Sequence, residues 1–376
     1  MINKIVLKNF KTFDDEEFNI APLTLITGIN GMGKSSIIQA LLLLKQNYEI
    51  KYLQTKNVML LKQDFIDLES AEDLCYFKAD ERTVSIAITD ENLESKLQNT
   101  YLWQLDASVA DKRELPYTYS GPDILDALPL FSSDFIFLEA ERWGPRSEYE
   151  KRYERTYNTK LGIQGELTPA FMNNAMNNNL EIGIQDMKNE HLPKDSTQLA
   201  ENVNAWMSQI MKLPVKTVTN SISDTKIKLE YKFEGYKGKS FSALQVGFGF
   251  TFVLPIVTAL LQAQKGDLII IENPEAHLHP AAQVELGLMI AKTVSNGVQI
   301  VLESHSDHIL NSLRLARKMG ILSEKNVNLI FAQRDLVSGT GISFINEIKI
   351  KDSGKLTQRP EYFFDTWDDV LTKLID

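Results

Sequence analysis

Apolar and polar positions alternate with two different periods along this chain. A period of two marks strands. It appears at Ile5, Leu7 and Phe10, at Val84-Ser85-Ile86-Ala87-Ile88, at Tyr101-Leu102-Trp103-Gln104-Leu105, and again across residues 226–233 and 342–348. Continuous apolar runs at 22–27, 134–140, 268–271, 298–302 and 327–332 predict buried strands. Helical composition or spacing covers 37–46, the stretch leading to Leu261, and 198–212, where Leu199, Val203, Trp206 and Ile210 share one face. Residues 147–215 read as an inserted helical region, in which the asparagine-rich run 173–179 predicts a mobile polar loop. No internal repeat and no heptad run occurs, which excludes a long coiled coil within this sequence.

Composition narrows the class. The 376 residues are 43% hydrophobic and 24% charged, enough for one large or two modest globular domains. No apolar run approaches the length of a membrane span, and the N-terminus reads as a first strand rather than a signal peptide. Cys75 is the only cysteine, so disulfides do not hold the fold and a cytoplasmic location is expected. The net charge of −10 argues against a basic coat, while a local basic groove, and with it DNA as a partner, stays open.

The chemistry is densest at Gly28-Ile29-Asn30-Gly31-Met32-Gly33-Lys34-Ser35-Ser36, a G-x-x-x-x-G-K-S pattern between a strand and a helix. Such a junction is a phosphate site, because backbone N–H groups converge on it and the helix dipole favours negative charge. Asn30, Gly31, Met32, Gly33, Lys34, Ser35 and Ser36 are the candidate nucleotide-binding residues. Lys34 is expected on the β- and γ-phosphates, and the Ser35 hydroxyl on Mg²⁺.

The opening segment Leu7-Lys8-Asn9-Phe10-Lys11-Thr12-Phe13, followed by this loop, resembles the start of ABC-type ATPase heads, in the branch of SMC proteins, the recombination protein RecF and the OLD nucleases. Three later segments fit the same order. Val246-Gly247-Phe248-Gly249 stands where such heads carry a Ser-Gly-Gly-Gln turn that caps the γ-phosphate of the opposite subunit; here the Ser and Gln are missing and Gly247 and Gly249 remain. Leu268-Ile269-Ile270-Ile271-Glu272-Asn273-Pro274-Glu275 matches a Walker B strand, with Glu272 on the Mg²⁺ shell and Asn273 at the usual catalytic glutamate. An amide can orient water but cannot accept its proton, so Asn273 and the nearby carboxylate Glu275 are both candidates for handling it. Glu275-Ala276-His277-Leu278-His279-Pro280 and Glu303-Ser304-His305-Ser306-Asp307-His308 resemble stretches of OLD-type ATPases, and His305 matches the switch histidine.

The resemblance implies an α/β P-loop NTPase of ABC type, with a mixed sheet core, an antiparallel β subdomain and an inserted helical subdomain. It implies one head over 1–376: an N-terminal lobe at 1–146, the insertion with strands at 147–240 and a C-terminal lobe at 241–376. Two copies would sandwich ATP and Mg²⁺, as a homodimer or higher oligomer. They would serve a separate effector such as a nuclease or toxin, in anti-phage defence or DNA repair. OLD nucleases continue into a nuclease domain that this sequence lacks, so no nuclease of its own is expected. Several readings stay open. Lys11 and Phe13 either flank a nucleotide base or are a surface lysine and a core phenylalanine. Arg142 and Arg146 either meet phosphate or a partner subunit, or they cap a turn. The lysines of 226–239 line either nucleic acid or a protected strand edge. The aromatic tail 360–368 resembles that of a bacterial ATPase family of unassigned function. In a rival metallohydrolase reading, His277, His279, Glu303, His305, Asp307 and His308 would hold a metal.

Overall fold

The strand-forming and helix-forming stretches resolve, in a computed structural model, into sixteen strands and eight helices among the described residues 1–91, 98–108, 113–151, 160–335, 341–360 and 363. In chain order they are β1 (Ile2–Phe10), β2 (Phe13–Asn19), β3 (Leu23–Gly28), α1 (Lys34–Glu49), α2 (Tyr52–Thr55), β4 (Val58–Leu60), α3 (Ala71–Leu74), β5 (Thr83–Glu91), β6 (Gln98–Asp106), β7 (Glu114–Ser120), β8 (Ile136–Leu138) and β9 (Tyr149–Glu150). There follow α4 (Thr168–Asn177), α5 (Leu199–Met211), β10 (Val215–Ser221), β11 (Lys226–Phe233), β12 (Ser240–Ser242), α6 (Phe248–Gln262), β13 (Leu268–Glu272), α7 (Pro280–Ser295), β14 (Gln299–Glu303), α8 (Asp307–Lys318), β15 (Val327–Arg334) and β16 (Ser343–Ile348). They fall into two units, one of described residues 1–132 and 324–363, the other of 133–151 and 160–323.

The first unit holds an antiparallel sheet of order β2-β1-β5-β6-β7-β4. Alternation along β5 is strict, with Val84, Ile86 and Ile88 buried and their neighbours partly exposed. This is the half-buried pattern of an antiparallel sheet with one packed face. The same unit carries β3 parallel to β15 and β15 antiparallel to β16, a mixed arrangement. Both β3 and β15 are almost wholly buried, which explains their continuous apolar runs. Of the aromatic tail, Phe363 is buried edge-on against Phe331, and residues 361–362 and 364–368 lie outside the described residues.

In the second unit β13 runs parallel between β8 and β14. Helix α5 packs against α6 and α7, with Trp206 buried and its indole N–H donating to the Met187 carbonyl (2.9 Å), so Trp206 is a core residue. Two expectations change here. The asparagine-rich run expected as a loop is mostly the second half of α4. Met172 and Ala175 give that helix a buried face, and Asn173 donates to the Thr219 hydroxyl (3.2 Å), so packing overrides local polarity. Strand β11 is no edge. It pairs with β10 on one side and with β9 and β12 on the other, and its lysines stand on a face of an interior strand, where Lys226 meets Glu150 at 3.2 Å.

Candidate functional site

The glycine-rich loop of the first unit turns from β3 into α1 through Gly33, whose φ of 93° lies in the left-handed region. A side chain is excluded there twice over. The backbone angle is strained for any Cβ, and a Cβ would stand 2.7 Å from the Thr12 hydroxyl and 3.0 Å from the Phe13 ring. The turn between β1 and β2 therefore braces the back of the loop, and Ser343 N–H donates to the Thr12 carbonyl (2.8 Å) to close that brace. Asn30, Gly31 and Ser35 are exposed and Ser36 is buried. Lys34 is 5% exposed, and its ammonium donates to the Ile29 carbonyl at 2.8 Å, back across the loop. A cation held over exposed backbone, at the first turn of a 16-residue helix, fits a polyphosphate. Phe13 is fully buried against Phe18 and takes the core reading, whereas the Lys11 ammonium reaches Gln39 of α1 at 2.6 Å.

In the second unit Glu272 ends β13 beside Glu303, the last residue of β14. Burial first, then the Glu303 carboxylate, push the Glu272 pKa up to about 7; the Ala140 N–H (3.1 Å) and Arg142 oppose the rise. Asn273 follows with φ 44°. Asparagine tolerates this conformation better than glutamate does, which gives a backbone reason for the departure from the usual acid. Its N–H donates to the Glu303 carbonyl (2.8 Å), and its Oδ1 is buried with no hydrogen-bond partner among the described residues.

The Glu275 carboxylate is already engaged. One oxygen accepts from the Ser304 hydroxyl (2.8 Å) and the other from the His305 N–H (2.9 Å). Glu275 thus ties the turn after β13 to the loop that presents the exposed His305. A second tie runs alongside, from the Ser306 hydroxyl to Gln283 of α7 (2.5 Å) and from Gln283 to the Leu278 carbonyl (2.9 Å). Sequence reasoning missed Gln283, although its place one turn into a helix after His-Pro was a usable signal. His277 lies against Phe252 and Phe248 of α6, with ring centroids at 4.4 and 5.4 Å, and His279 caps α7 through Nδ1. Among the described residues no group of three or more His, Cys, Asp or Glu side chains is gathered to hold a metal, which removes the geometric basis of the metallohydrolase reading.

The two glycines at the start of α6 differ. A Cβ on Gly249 would meet the His277 carbonyl oxygen at 2.8 Å, whereas one on Gly247 would meet nothing within 4 Å. Gly247 caps the helix with φ −64°, open to any residue. Gly249→Ala should therefore destabilise the protein by about 1–3 kcal/mol. Gly247→Ala should stay within about 0.5 kcal/mol of wild type. Paired urea titrations check the contrast, and equal midpoints would remove the close approach at Gly249.

Arg142 is 3% exposed, and its guanidinium donates to backbone carbonyls, so of its two readings the structural one fits. Arg146 is exposed and stacks over Trp143 at 4.0 Å.

Comparison with known proteins bears on this geometry. The AAA ATPase domain family matches residues 1–310, which is most of the chain. The chain belongs to the AAA ATPase domain family. No curated protein sequence matches it. Among solved structures it is similar to an SMC head bound to the C-terminal winged-helix domain of ScpA, with 14% identity, a TM-score of 0.55, and 94% of this chain and 98% of that chain covered. It is also similar to an SMC head with an extended coiled coil bound to the C-terminal domain of ScpA derived from Pyrococcus furiosus. That match has 12% identity, a TM-score of 0.54 and full coverage of both chains. This AAA ATPase domain accordingly has the α/β P-loop fold of an SMC head with mixed sheets. Among the described residues, no helix of it is long and apolar enough to cross a membrane.

Proposed function

We propose that this chain is an ABC-type ATPase head that binds ATP with Mg²⁺, hydrolyses it slowly, dimerises around it and controls a separate effector, a nuclease or toxin, in anti-phage defence. The observation that carries the nucleotide reading is the loop at Gly33 and Lys34, where a buried lysine folds over exposed backbone at a helix start. In this reading Lys34 and the loop N–H groups hold the phosphates, and Ser35 and Glu272 hold the metal. When bound, Mg²⁺ would supply charge neutralisation there. Asn273 orients water through its unpartnered Oδ1, and His305, kept in place by Glu275, senses the γ-phosphate. The α6 start at Gly247 and Gly249 faces the nucleotide of a second copy. The SMC heads of similar fold are bound to another protein's domain, which supports a protein partner here.

A second reading, an ATP-gated scaffold with little turnover, draws on Asn273, since an amide cannot take a proton from water. Steady-state phosphate release separates the two. Wild type should turn over slowly. Glu275→Ala should lose about tenfold or more, because the His305 loop is released. Glu275→Gln should keep at least about a third of the rate, because an amide oxygen still accepts from the His305 N–H. If Glu275→Gln is as inactive as Glu275→Ala, Glu275 acts as a base. Bound ATP with no phosphate release at all in wild type establishes the scaffold. A DNA-repair role would need DNA affinity that falls steeply with salt.

A further inference from the structure

The turn after β13 is held by a buried cation that none of the motifs includes. Arg142 lies four residues beyond β8. Its Nη1 donates to the carbonyls of Glu139 (2.9 Å) and Glu272 (2.7 Å), and its Nη2 donates to the carbonyl of Asn273 (2.6 Å). The two nitrogens of one planar fork thus capture two successive carbonyls of the same turn. A lysine ammonium, a point donor on a flexible stem, cannot reproduce that geometry. The face of the guanidinium lies 5.6 Å from the ring of Phe252 in α6, and that ring carries His277 on its edge. We propose that Arg142 is a positioning residue for hydrolysis: its fork sets the backbone of Glu272 and Asn273, and its contact with Phe252 links that turn to the first two turns of α6.

Three observations converge on this role. The side chain is almost inaccessible, so it is not available to a ligand. Burial lowers its pKa only to about 10, with Glu275, Glu272 and Glu139 opposing the fall, so the fork is charged at neutral pH and its bonds are charge-assisted. Asn273 is held at positive φ, and Arg142 holds the carbonyls on both sides of that Cα. The link to α6 gives the turn a physical route to the helix start at Gly247. Whatever alters the Glu272–Asn273 backbone acts on Phe252 through the same guanidinium.

The inference rests on the ATPase reading for its kinetic consequence but not for its structural one. Arg142→Lys and Arg142→Met are compared with wild type in two measurements. In phosphate release, kcat should fall about tenfold or more in Arg142→Met and by less in Arg142→Lys. KM for ATP should stay within about threefold, because the loop that grips phosphate is untouched. In hydrogen–deuterium exchange, peptides covering 272–278 and 248–253 should lose protection in both variants while those covering 34–49 do not. Unchanged kcat, or unchanged exchange at 272–278, overturns the proposal, as does a rise in KM that matches the fall in kcat. If Arg142→Met does not fold, Arg142→Lys alone carries both readouts. If wild type releases no phosphate, the ATPase reading has failed, and the exchange pattern still decides the role of Arg142.

Discussion

Lys34→Ala should abolish nucleotide binding and leave the fold in place. The lysine donates across the loop to the Ile29 carbonyl, and that carbonyl belongs to an exposed residue that water can serve after the substitution. The apo protein should therefore melt within a few degrees of wild type. With ligand the outcome differs. A phosphate-binding cation in a partly desolvated loop contributes a charge-assisted bond, and its loss should weaken ATP affinity by about 100-fold or more. A ligand present at about 100 times its dissociation constant stabilises the folded state by about 2.7 kcal/mol. Wild type in millimolar Mg·ATP should thus melt several degrees higher than apo protein, and Lys34→Ala should show no such rise. A full ligand-induced shift in Lys34→Ala would remove phosphate recognition from this loop. No shift in wild type at millimolar nucleotide would remove it from the protein.

That experiment tests what the sequence made most legible. The glycine-rich loop is readable because its chemistry is local. A left-handed Gly33, a lysine and a hydroxyl must follow one another within one turn, and no distant residue is needed to see them. Strands buried on both faces, such as β3, β13 and β14, are readable because burial forces a continuous apolar run. The readings that failed depend on residues far apart in sequence. The asparagine-rich residues 173–177 look like loop until α4 is seen to bury Met172 and Ala175. The lysines of β11 look like edge protection until β9 and β12 are found on its open side. For Arg142 the phosphate and turn-capping readings stay open in the sequence, because nothing local shows that the carbonyls of residues 272 and 273 are its partners. Glu275 is one of two open candidates for handling water, and nothing local shows that Ser304 and His305, some thirty residues later, engage its two oxygens.

Glu272→Gln should make the apo protein more stable and the enzyme inactive. Burial, then the neighbouring Glu303, raise the Glu272 pKa from 4.5 to about 7 in the folded chain, so the native state holds this proton more tightly than the unfolded state does. Stability from this group is therefore complete below about pH 4.5 and is lost as pH rises through about 7. The gap between the two values corresponds to about 3 kcal/mol between mildly acid and alkaline conditions. Glutamine carries no such charge, so the difference in stability between Glu272→Gln and wild type should be small near pH 5 and should grow in favour of the variant toward pH 8. Taking the difference cancels the other titrating groups common to both proteins. Function should run the other way, because a metal is held by the carboxylate and not by its protonated form. In the proposed ATPase, the Mg²⁺ concentration needed for half-maximal turnover should fall as pH rises from 6 to 8 in wild type. Turnover in Glu272→Gln should be down by about 100-fold or more at every Mg²⁺ concentration. In the proposed ATPase the two curves would share one origin, an acidic group kept in a costly place for the sake of a cation. Equal pH dependence of stability in the two proteins would mean that Glu272 is not ionising in this range. Mg²⁺-dependent turnover that survives in the glutamine variant would take Glu272 out of the metal shell.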